Sequence, residues 1–383
     1  MRPRLTNERA RVSSTVASAP AGPVTPRPER IEEFDALRGI AILFMMYLHA
    51  YFGPWSTTPP GELLFLRLTH IVANSAVPVF LFMSGFLGAR DRSPTFGALI
   101  ESRLHRLAVP LAFWMIAALG FEVWREGQLT SEMIRSFALF DIAGQFYYVV
   151  VLLLLIAAVY PLRHVSDEHL KWVVALAFVV NLAMIAYYQM NQLQGFWWSI
   201  AYRNPLVWVF SFTFGLYIAR TRGNVRFSGA VVAVASIAMA LVTAIYVYQG
   251  IAGPGYPNSY FGVTVFLFAA CGFIVYPAGL RALGETRGGR LLLTPFIALA
   301  PYAFGIYLVH KPYFVGELSD RLISDTFLAN DYLQLVGSLF IVGGAASIVF
   351  VVVTNALFPR FSALILGVDR PRQRGEHRPE ATR

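Results

Sequence analysis

Residues 34–53, FDALRGIAILFMMYLHAYFG, decide how the rest of the sequence is interpreted. The stretch is apolar and long enough, at about 20 residues, to cross a bilayer as a helix. It nevertheless carries Asp35, Arg38 and His49. An ionisable side chain at membrane depth costs roughly 2.5–3.5 kcal/mol on insertion scales, so such residues indicate function by default. Arg38 and His49 are separated by about three helical turns, so they share one face and lie about 16 Å apart along the axis. Asp35 precedes Arg38 by one turn on that face.

The composition indicates an integral membrane protein made of several helices. Of the 383 residues, 56% are hydrophobic and 14% are charged, whereas a soluble domain averages about 25% charged residues. The mean hydropathy is +0.56, and long uncharged runs recur along the chain, as expected of repeated membrane spans. Cys271 is the only cysteine, which excludes an intramolecular disulfide and argues against a cysteine-based metal site. No other metal-ligand spacing occurs, so we expect no metal.

The apolar segments predict an all-α bundle of about ten transmembrane helices. Lipid leaves open sheet edges unpaired, and the segments lack the short alternation of barrel strands. We expect one transmembrane domain at 32–362, between a disordered cytoplasmic tail at 1–31 and a basic cytoplasmic tail at 363–383. An organelle transit peptide at the N-terminus is a minor alternative. The predicted spans are residues 35–53, 70–89, 104–123, 145–161, 170–190, 205–220, 229–249, 260–280, 292–312 and 333–358.

The basic residues predict the orientation of the bundle. With ten spans, 25 of the 31 lysines and arginines fall in the tails, in the even-numbered connections or at the span ends next to them, and the other six fall on the opposite side. By the positive-inside rule, both termini are therefore cytoplasmic. This topology accounts for the formal charge of +9, so we do not expect nucleic acid as a partner. The expected partner is the lipid bilayer, and the oligomeric state stays open.

His49 and Arg38 are the candidate catalytic residues. A neutral imidazole accepts a proton from a hydroxyl, and its ordinary pKa of about 6.5 suits a general base around pH 7. The planar guanidinium of Arg38 suits the phosphates of an acyl donor, and Asp35 would hold it in place. The structural alternatives are a histidine bonded to a neighbouring helix and an arginine that snorkels to the headgroups. A histidine alone would favour the structural alternative, but Arg38 on the same face reverses that preference.

Two further segments supply candidates near the predicted cytoplasmic side and inside the second span. Arg103 and Arg106 stand at the start of the third predicted helix, where they could share a phosphate-rich ligand with Arg38. Their alternative role is positive-inside anchoring. Ser84 precedes Gly85 in an apolar helix, where the glycine permits close helix approach and the serine can bond across it.

Two segments near the predicted outer side complete the candidate site. Gln145 stands among aromatic residues at the outer start of the fourth span, where it could bond a sugar hydroxyl. The aromatic residues there could equally form only an interfacial belt. Tyr307 and His310 share a helix face, and His310 could either assist at the outer mouth or cap a helix C-terminus. We expect Asp35, Ser84, Gln145, Tyr307 and His310 to bind substrate.

Four motifs, in this order, resemble the membrane acyltransferase-3 family. They are its Arg-x10-His signature, its second-helix Ser-Gly-Phe segment, its third-helix basic pair and its late Gly-Ile-Tyr-Leu-x-His-x-Pro segment. In this sequence they correspond to Arg38 with His49, residues 82–87 (FMSGFL), Arg103 with Arg106, and residues 304–312 (FGIYLVHKP). The resemblance covers roughly residues 32–360, and ten spans with cytoplasmic termini agree with it.

The resemblance implies an O-acyltransferase that uses acyl-CoA as donor substrate. The acyl group, acetyl in the first instance, would move from cytoplasmic acyl-CoA to a hydroxyl of a glycan, glycolipid or sugar-bearing metabolite. Arg38 and His49 would be essential, and Arg103 and Arg106 would assist donor binding. The expected location is the plasma (inner) membrane of a bacterium.

A transporter or flippase of a polysaccharide or glycolipid intermediate is the alternative. Several spans with intramembrane charges and prolines suit transport as well as catalysis. An inverted repeat would favour transport, and the sequence shows none. We therefore favour the enzyme, with the acceptor, the acyl chain and the side of modification left open.

Overall fold

The computed structural model describes residues 31–50, 60–91, 93, 95–191, 193, 195–252, 261–316 and 332–368. Nearly all of the predicted N-terminal tail, most of the C-terminal tail and the last three residues of the first predicted span lie outside these ranges. Most of the predicted outer connection at 313–332 lies outside them too. Within the described ranges the chain is helical and contains no strand, as the sequence predicts.

The helices follow one another with short 3-10 and π-helical segments between them. The π-helical segments are Leu104–Ala108, His310–Val315 and Leu339–Gly343. In chain order the α-helices of the described residues are α1 (Glu32–Ala50), α2 (Pro60–Asn74), α3 (Ala76–Ala89), α4 (Phe96–Arg103), α5 (Val109–Glu126), α6 (Ser131–Ala138), α7 (Tyr147–Val159), α8 (Asp167–Asn191), α9 (Gly195–Arg203), α10 (Val209–Arg222), α11 (Gly229–Ala252), α12 (Val263–Gly284), α13 (Arg287–Leu299), α14 (Ala303–Val309), α15 (Tyr332–Ser338), α16 (Gly344–Leu357) and α17 (Pro359–Ile365).

Eight helices in the described ranges are long and apolar enough to cross a membrane, which makes this a multi-pass membrane protein. Two more helices, α1 and α10, lie where spans were predicted. The first carries charge near its start, and the second is shorter than the eight. The first turn of α1 contains three acidic residues, and α10 has only 14 residues. The count of ten spans and the side of the termini therefore stay predictions. The eight apolar helices are Gly61–Ala89, Phe96–Glu126, Tyr147–His164, Asp167–Asn191, Gly229–Gly250, Val263–Gly284, Arg287–Val315 and Leu333–Leu357.

The second predicted span begins earlier than expected and contains a break. Its helix starts at Pro60 rather than at residue 70, because Arg67, which ended the apolar run in the sequence, is buried inside the bundle. The break lies at Ser75, whose hydroxyl donates to the Val72 carbonyl at 2.6 Å. Pro78 falls in the first turn of α3. A proline there interrupts no hydrogen bond of its own helix.

Close backbone packing fixes the position of α1. This helix contacts α2, α3, α12, α13 and α14. A Cβ atom on Gly39 would lie 2.0 Å from the Phe296 carbonyl oxygen of α13. On another side, the Phe34 ring meets the Phe86 ring of α3 edge-on, with centroids 4.8 Å apart. Because α1 is held on both sides, the face that carries Arg38 has a fixed direction.

The crossing of α3 and α10 depends on two facing glycines. A Cβ on Gly85 would lie 1.9 Å from the Phe212 carbonyl oxygen, and a Cβ on Gly215 would lie 2.0 Å from that of Phe82. The Phe82 ring stacks on Phe273 of α12, with centroids 4.8 Å apart. The predicted role of Gly85 in close helix approach therefore matches the contacts of this crossing.

We predict that Gly85→Ala lowers the free energy of unfolding by about 1–3 kcal/mol, because the added methyl collides with a backbone carbonyl that cannot rotate away. Thermal unfolding in detergent measures the change through alkylation of the single, partly buried Cys271 by a fluorescent thiol reagent. Gly120→Ala is the matched control, since a Cβ on this exposed helical glycine meets no atom within 4 Å. Equal melting temperatures for Gly85→Ala and the wild type would contradict the packing argument.

Candidate active site

A cavity of about 660 Å³ lies between α1, α3, α4, α7, α10 and α14. Small-molecule and cofactor sites are typically about 300–1,000 Å³ in volume, so the cavity has room for a ligand of that class. The lining combines a group of arginines, which we call the basic end, with hydroxyl-bearing and apolar side chains. Five of the nine candidate site residues line it, namely Arg38, Ser84, Arg103, Arg106 and Tyr307.

The basic end brings together arginines from separate parts of the chain. Arg38, Arg103 and Arg106 line the cavity together with Arg163 and Arg220. Sequence reasoning counted the last two only as part of the positive-inside excess. Their position at the same predicted membrane side as Arg103 and Arg106 was the signal that could have identified them. A concentration of guanidinium groups on one cavity wall is suited to a polyanionic ligand.

Asp91 is the acidic residue among the described lining of this end, and it organises two of the arginines. Its carboxylate pairs with Arg103 at 2.5 Å, and its backbone carbonyl accepts from Arg163 at 3.2 Å. Burial alone would raise the pKa of the Asp91 carboxyl. Hydrogen bonds from Ser93 and the charge of Arg103 outweigh that effect and lower the pKa below its usual value. Asp91 therefore stays ionised and holds both guanidinium groups at the cavity wall.

A π-helical segment places Arg106. The sequence suggested a regular helix with Arg103 and Arg106 at i,i+3, but residues Leu104–Ala108 form a wider turn. Pro110 explains part of this geometry, because it has no N–H group for the Arg106 carbonyl. Single π turns inside α-helices are frequent at functional sites. Both arginines still line the same cavity.

Arg38 has the acidic neighbour that the sequence suggested. Its guanidinium lies 3.7 Å from the Asp35 carboxylate, one turn earlier on α1. Arg38 lines the cavity, whereas Asp35 is not part of the lining. Asp35 is therefore placed to orient Arg38 rather than to contact a ligand in this cavity.

Hydroxyl groups and aromatic rings also line the cavity. Ser84 and Tyr148 interact through their hydroxyl groups, and the rings of Tyr148 and Tyr307 lie 5.6 Å apart. The Tyr307 hydroxyl donates to the backbone carbonyl of Gln145. Gln145 is thus next to the cavity wall, although it does not line the cavity. Tyr148 was not selected from the sequence, where it was indistinguishable from an interfacial aromatic residue.

His49 lies just beyond the cavity, in contact with a second histidine. Met45, one turn before it on α1, lines the cavity, and His49 does not. The His49 ring centroid is 5.1 Å from that of His310, which is fully buried. The His310 ring in turn lies 6.3 Å from the ring of Tyr307. Tyr307 therefore lines the cavity and also contacts His310 of the histidine pair. Helix α1 runs from the cavity to this pair.

The described residues offer two chemical capabilities at the two ends of α1. The arginines supply fixed positive charge, and the imidazoles supply nitrogen atoms that accept or donate protons. A group of three or more histidines, cysteines or carboxylates able to hold a metal ion is not found in the described part of the chain.

Comparison with known proteins gives one family match. The family model described as an acyltransferase domain matches residues 31–356, a range that includes every candidate site residue. The match confirms the resemblance inferred from the four motifs. No curated protein and no solved structure matches the chain.

We predict that Asp91→Asn lowers the free energy of unfolding by about 1 kcal/mol at pH 7, through loss of the pair with Arg103. Because folding lowers the pKa of Asp91, its contribution is fully present above the unfolded pKa of about 4 and is lost as the pH falls through the folded pKa. The difference between wild type and variant should therefore shrink below about pH 4. Thermal unfolding across pH measures it, with Glu168→Gln as control because its contact with Lys171 is exposed. A difference that is independent of pH would contradict this account.

Proposed function

Because the chain belongs to the acyltransferase-3 family, we propose that it is a membrane O-acyltransferase that uses acyl-CoA as donor. The acyl group, acetyl in the first instance, moves to a hydroxyl of a glycan, glycolipid or sugar-bearing metabolite in the plasma (inner) membrane of a bacterium. One observation carries the proposal. A cavity lined by five arginines reaches Met45, one helical turn before His49.

The basic end of the cavity is the proposed site for the nucleotide head of acyl-CoA. Phosphate oxygens accept paired hydrogen bonds from the planar fork of a guanidinium. Arg38, Arg103 and Arg106 are joined at this end by Arg163 and Arg220. The rest of the cavity is lined mostly by apolar side chains, which suit the long thin arm of the donor. Along α1, the distance from Arg38 to His49 is about 16 Å, which such an arm can span.

His49 is the proposed general base. The acceptor oxygen forms a bond to the thioester carbonyl carbon as the bond from that carbon to sulfur breaks. The hydroxyl proton passes to the His49 imidazole, and the departing sulfur takes up a proton to leave as free CoA. A base placed in this way typically contributes about 10²–10⁴-fold to the rate. We propose direct transfer, because the sequence offers no serine-nucleophile motif.

The acceptor is proposed to approach from the end of α1 that is opposite the arginines. Three features near that end suit a sugar: the histidine pair, the Gln145 amide and the Tyr307 hydroxyl group. Ser84 lies farther along the cavity, where its hydroxyl group bonds that of Tyr148. This arrangement separates a charged, water-soluble donor from an acceptor attached to a lipid or glycan. It also explains why one helix needs a cation near one end and an imidazole near the other.

We predict that His49→Ala reduces acyl transfer by at least about 10²-fold, because the proton acceptor is lost, without changing the melting temperature. The measurement is the release of free CoA from acetyl-CoA by purified protein, supplied with a glycan and glycolipid extract of the source cells. His169→Ala is the control, since His169 is exposed at the start of α8. Undiminished CoA release by His49→Ala would remove the residue from the mechanism. A wild-type protein that releases no CoA above background would favour the transporter alternative.

We predict that Arg38→Gln and Arg163→Gln each weaken acetyl-CoA binding by about 10–100-fold, because each removes charge-assisted hydrogen bonds to phosphate. Equilibrium dialysis of labelled acetyl-CoA against purified protein measures the dissociation constant directly. Arg135→Gln is the control, because this arginine lies on α6 and is paired with Glu132 on the surface. Normal affinity in both cavity variants would place the nucleotide head elsewhere.

A further inference from the structure

We propose that His310 and Gln145 form the subsite that binds a second hydroxyl of the acceptor, adjacent to the one that His49 deprotonates. The inference rests on the proposed acyl transfer and deepens it, because it assigns a chemical class to the acceptor. The acceptor would present two neighbouring hydroxyl groups, as a sugar ring does. One would donate to His49 and the other to His310.

The protonation pattern of His310 follows from its partners. Its Nδ1 atom lies 3.1 Å from the Ile306 carbonyl oxygen and 2.9 Å from the Tyr307 carbonyl oxygen. Both partners are acceptors, so Nδ1 must carry the hydrogen. The Nε2 atom of a neutral ring is then an acceptor with a free lone pair. His310 is thus fixed as an acceptor towards whatever lies at Nε2.

The Nε2 atom has nothing to accept from in the described part of the protein. It is buried, and no hydrogen-bond partner lies within reach of it among the described residues. Gln145 is 2% exposed. Its Oε1 and Nε2 atoms are also buried and have no hydrogen-bond partner among the described residues. Buried polar atoms are nearly always satisfied in native proteins, so unmatched groups of this kind indicate a missing ligand or ordered water.

These groups lie in one neighbourhood. The His310 ring is 5.1 Å from the His49 ring, and the neighbouring Tyr307 hydroxyl donates to the Gln145 backbone carbonyl. The side chain of Lys311, next in sequence to His310, touches Gly144, next in sequence to Gln145. Because hydrogen bonds to hydroxyls span about 2.7–3.0 Å, two rings at this separation can each meet a different hydroxyl of one ligand. The third group, the Gln145 amide, can donate and accept.

The local backbone gives His310 its direction. His310 begins the π-helical segment His310–Val315 that follows α14. Pro312 lacks the N–H that a regular helix would use at that position. A π turn projects its side chains differently from an α turn, and such turns are frequent at functional sites. The turn brings His310 from a late helix against His49 at the end of the first.

A pair of amide variants separates this role from a structural one. In His310→Asn, the short amide can still donate to the two carbonyls in place of Nδ1, but no atom reaches the position of Nε2. In His310→Gln, the longer amide places an oxygen near that position. The two variants differ in whether they can accept a hydrogen bond from the acceptor hydroxyl at the position of Nε2. His70→Gln is the control, because His70 is a buried histidine bonded to Tyr246 at 2.9 Å and does not line the cavity.

The experiment measures transfer of labelled acetyl from acetyl-CoA to the glycan and glycolipid extract of the source cells. We expect His310→Asn to raise the apparent KM for the extract about tenfold, the effect of one lost hydrogen bond. The KM for acetyl-CoA should stay within about twofold. His310→Gln should recover most of the loss, and His70→Gln should change neither KM. Thermal unfolding confirms that each variant is folded.

Several outcomes would overturn the inference. An unchanged KM for the extract in His310→Asn would do so, and so would equal loss in two folded amide variants. The labelled product gives a second readout by NMR. Its acetyl group should lie on a hydroxyl with a free hydroxyl on the adjacent carbon, and acetylation of an isolated primary hydroxyl would contradict this. Absence of transfer by the wild type would instead overturn the proposed function.

Discussion

A guanidinium inside a membrane bundle needs counter-charge or polar ligands, and the arrangement around Arg38 follows from that need. Asp35 supplies a carboxylate 3.7 Å away, and the cavity supplies space for an anion. Gly39 makes this possible, because its missing side chain lets α1 lie against the α13 backbone. The charge of Arg38 is thereby countered inside the protein. The same packing directs the face of α1 from Arg38 to Met45 and on to His49.

Along that face the protein separates two kinds of chemistry. At one end, five arginines and Asp91 form a charged wall suited to phosphates. At the other end, the histidine pair provides a proton acceptor in an enclosed environment. Tyr307 connects them, because it lines the cavity and contacts His310. A donor with a charged head and a thin arm fits this division, since each part of such a molecule meets the environment that its own chemistry requires.

Much of the architecture could be predicted from the sequence, because hydropathy and charge act locally. The helical segments, the exclusion of strands and the family followed from apolar runs and short motifs. The placement of Arg38, Arg103 and Arg106 around one cavity is consistent with the membrane side predicted for all three. Helical periodicity predicts which residues share one face of a helix, but it does not predict which other helix packs against that face. The contact of His49 with His310, which spans most of the chain, therefore could not be derived.

Other features depended on details that local pattern cannot resolve. Arg163 and Arg220 resembled ordinary anchoring residues until α7 and α10 closed around the cavity. The π turns at Leu104–Ala108 and His310–Val315 depend on prolines within a packed bundle, and a regular helix was the simpler expectation. The cavity also ends at Met45 rather than enclosing His49. The sequence placed Arg38 and His49 on one helix face, whereas the structure has a cavity at Arg38 and a histidine pair at His49, joined through Tyr307.

The central claim is that acyl-CoA in the cavity reaches the general base His49 where Tyr307 joins the cavity to the histidine pair. A cryo-electron microscopy structure of the purified protein with acetyl-CoA tests it most directly. The account predicts that the phosphates lie among Arg38, Arg103, Arg106, Arg163 and Arg220, with the thioester carbonyl past Met45 and next to His49. A nucleotide head bound outside the basic end, or a thioester that stops on the arginine side of Tyr307 with His49 shielded, would contradict it.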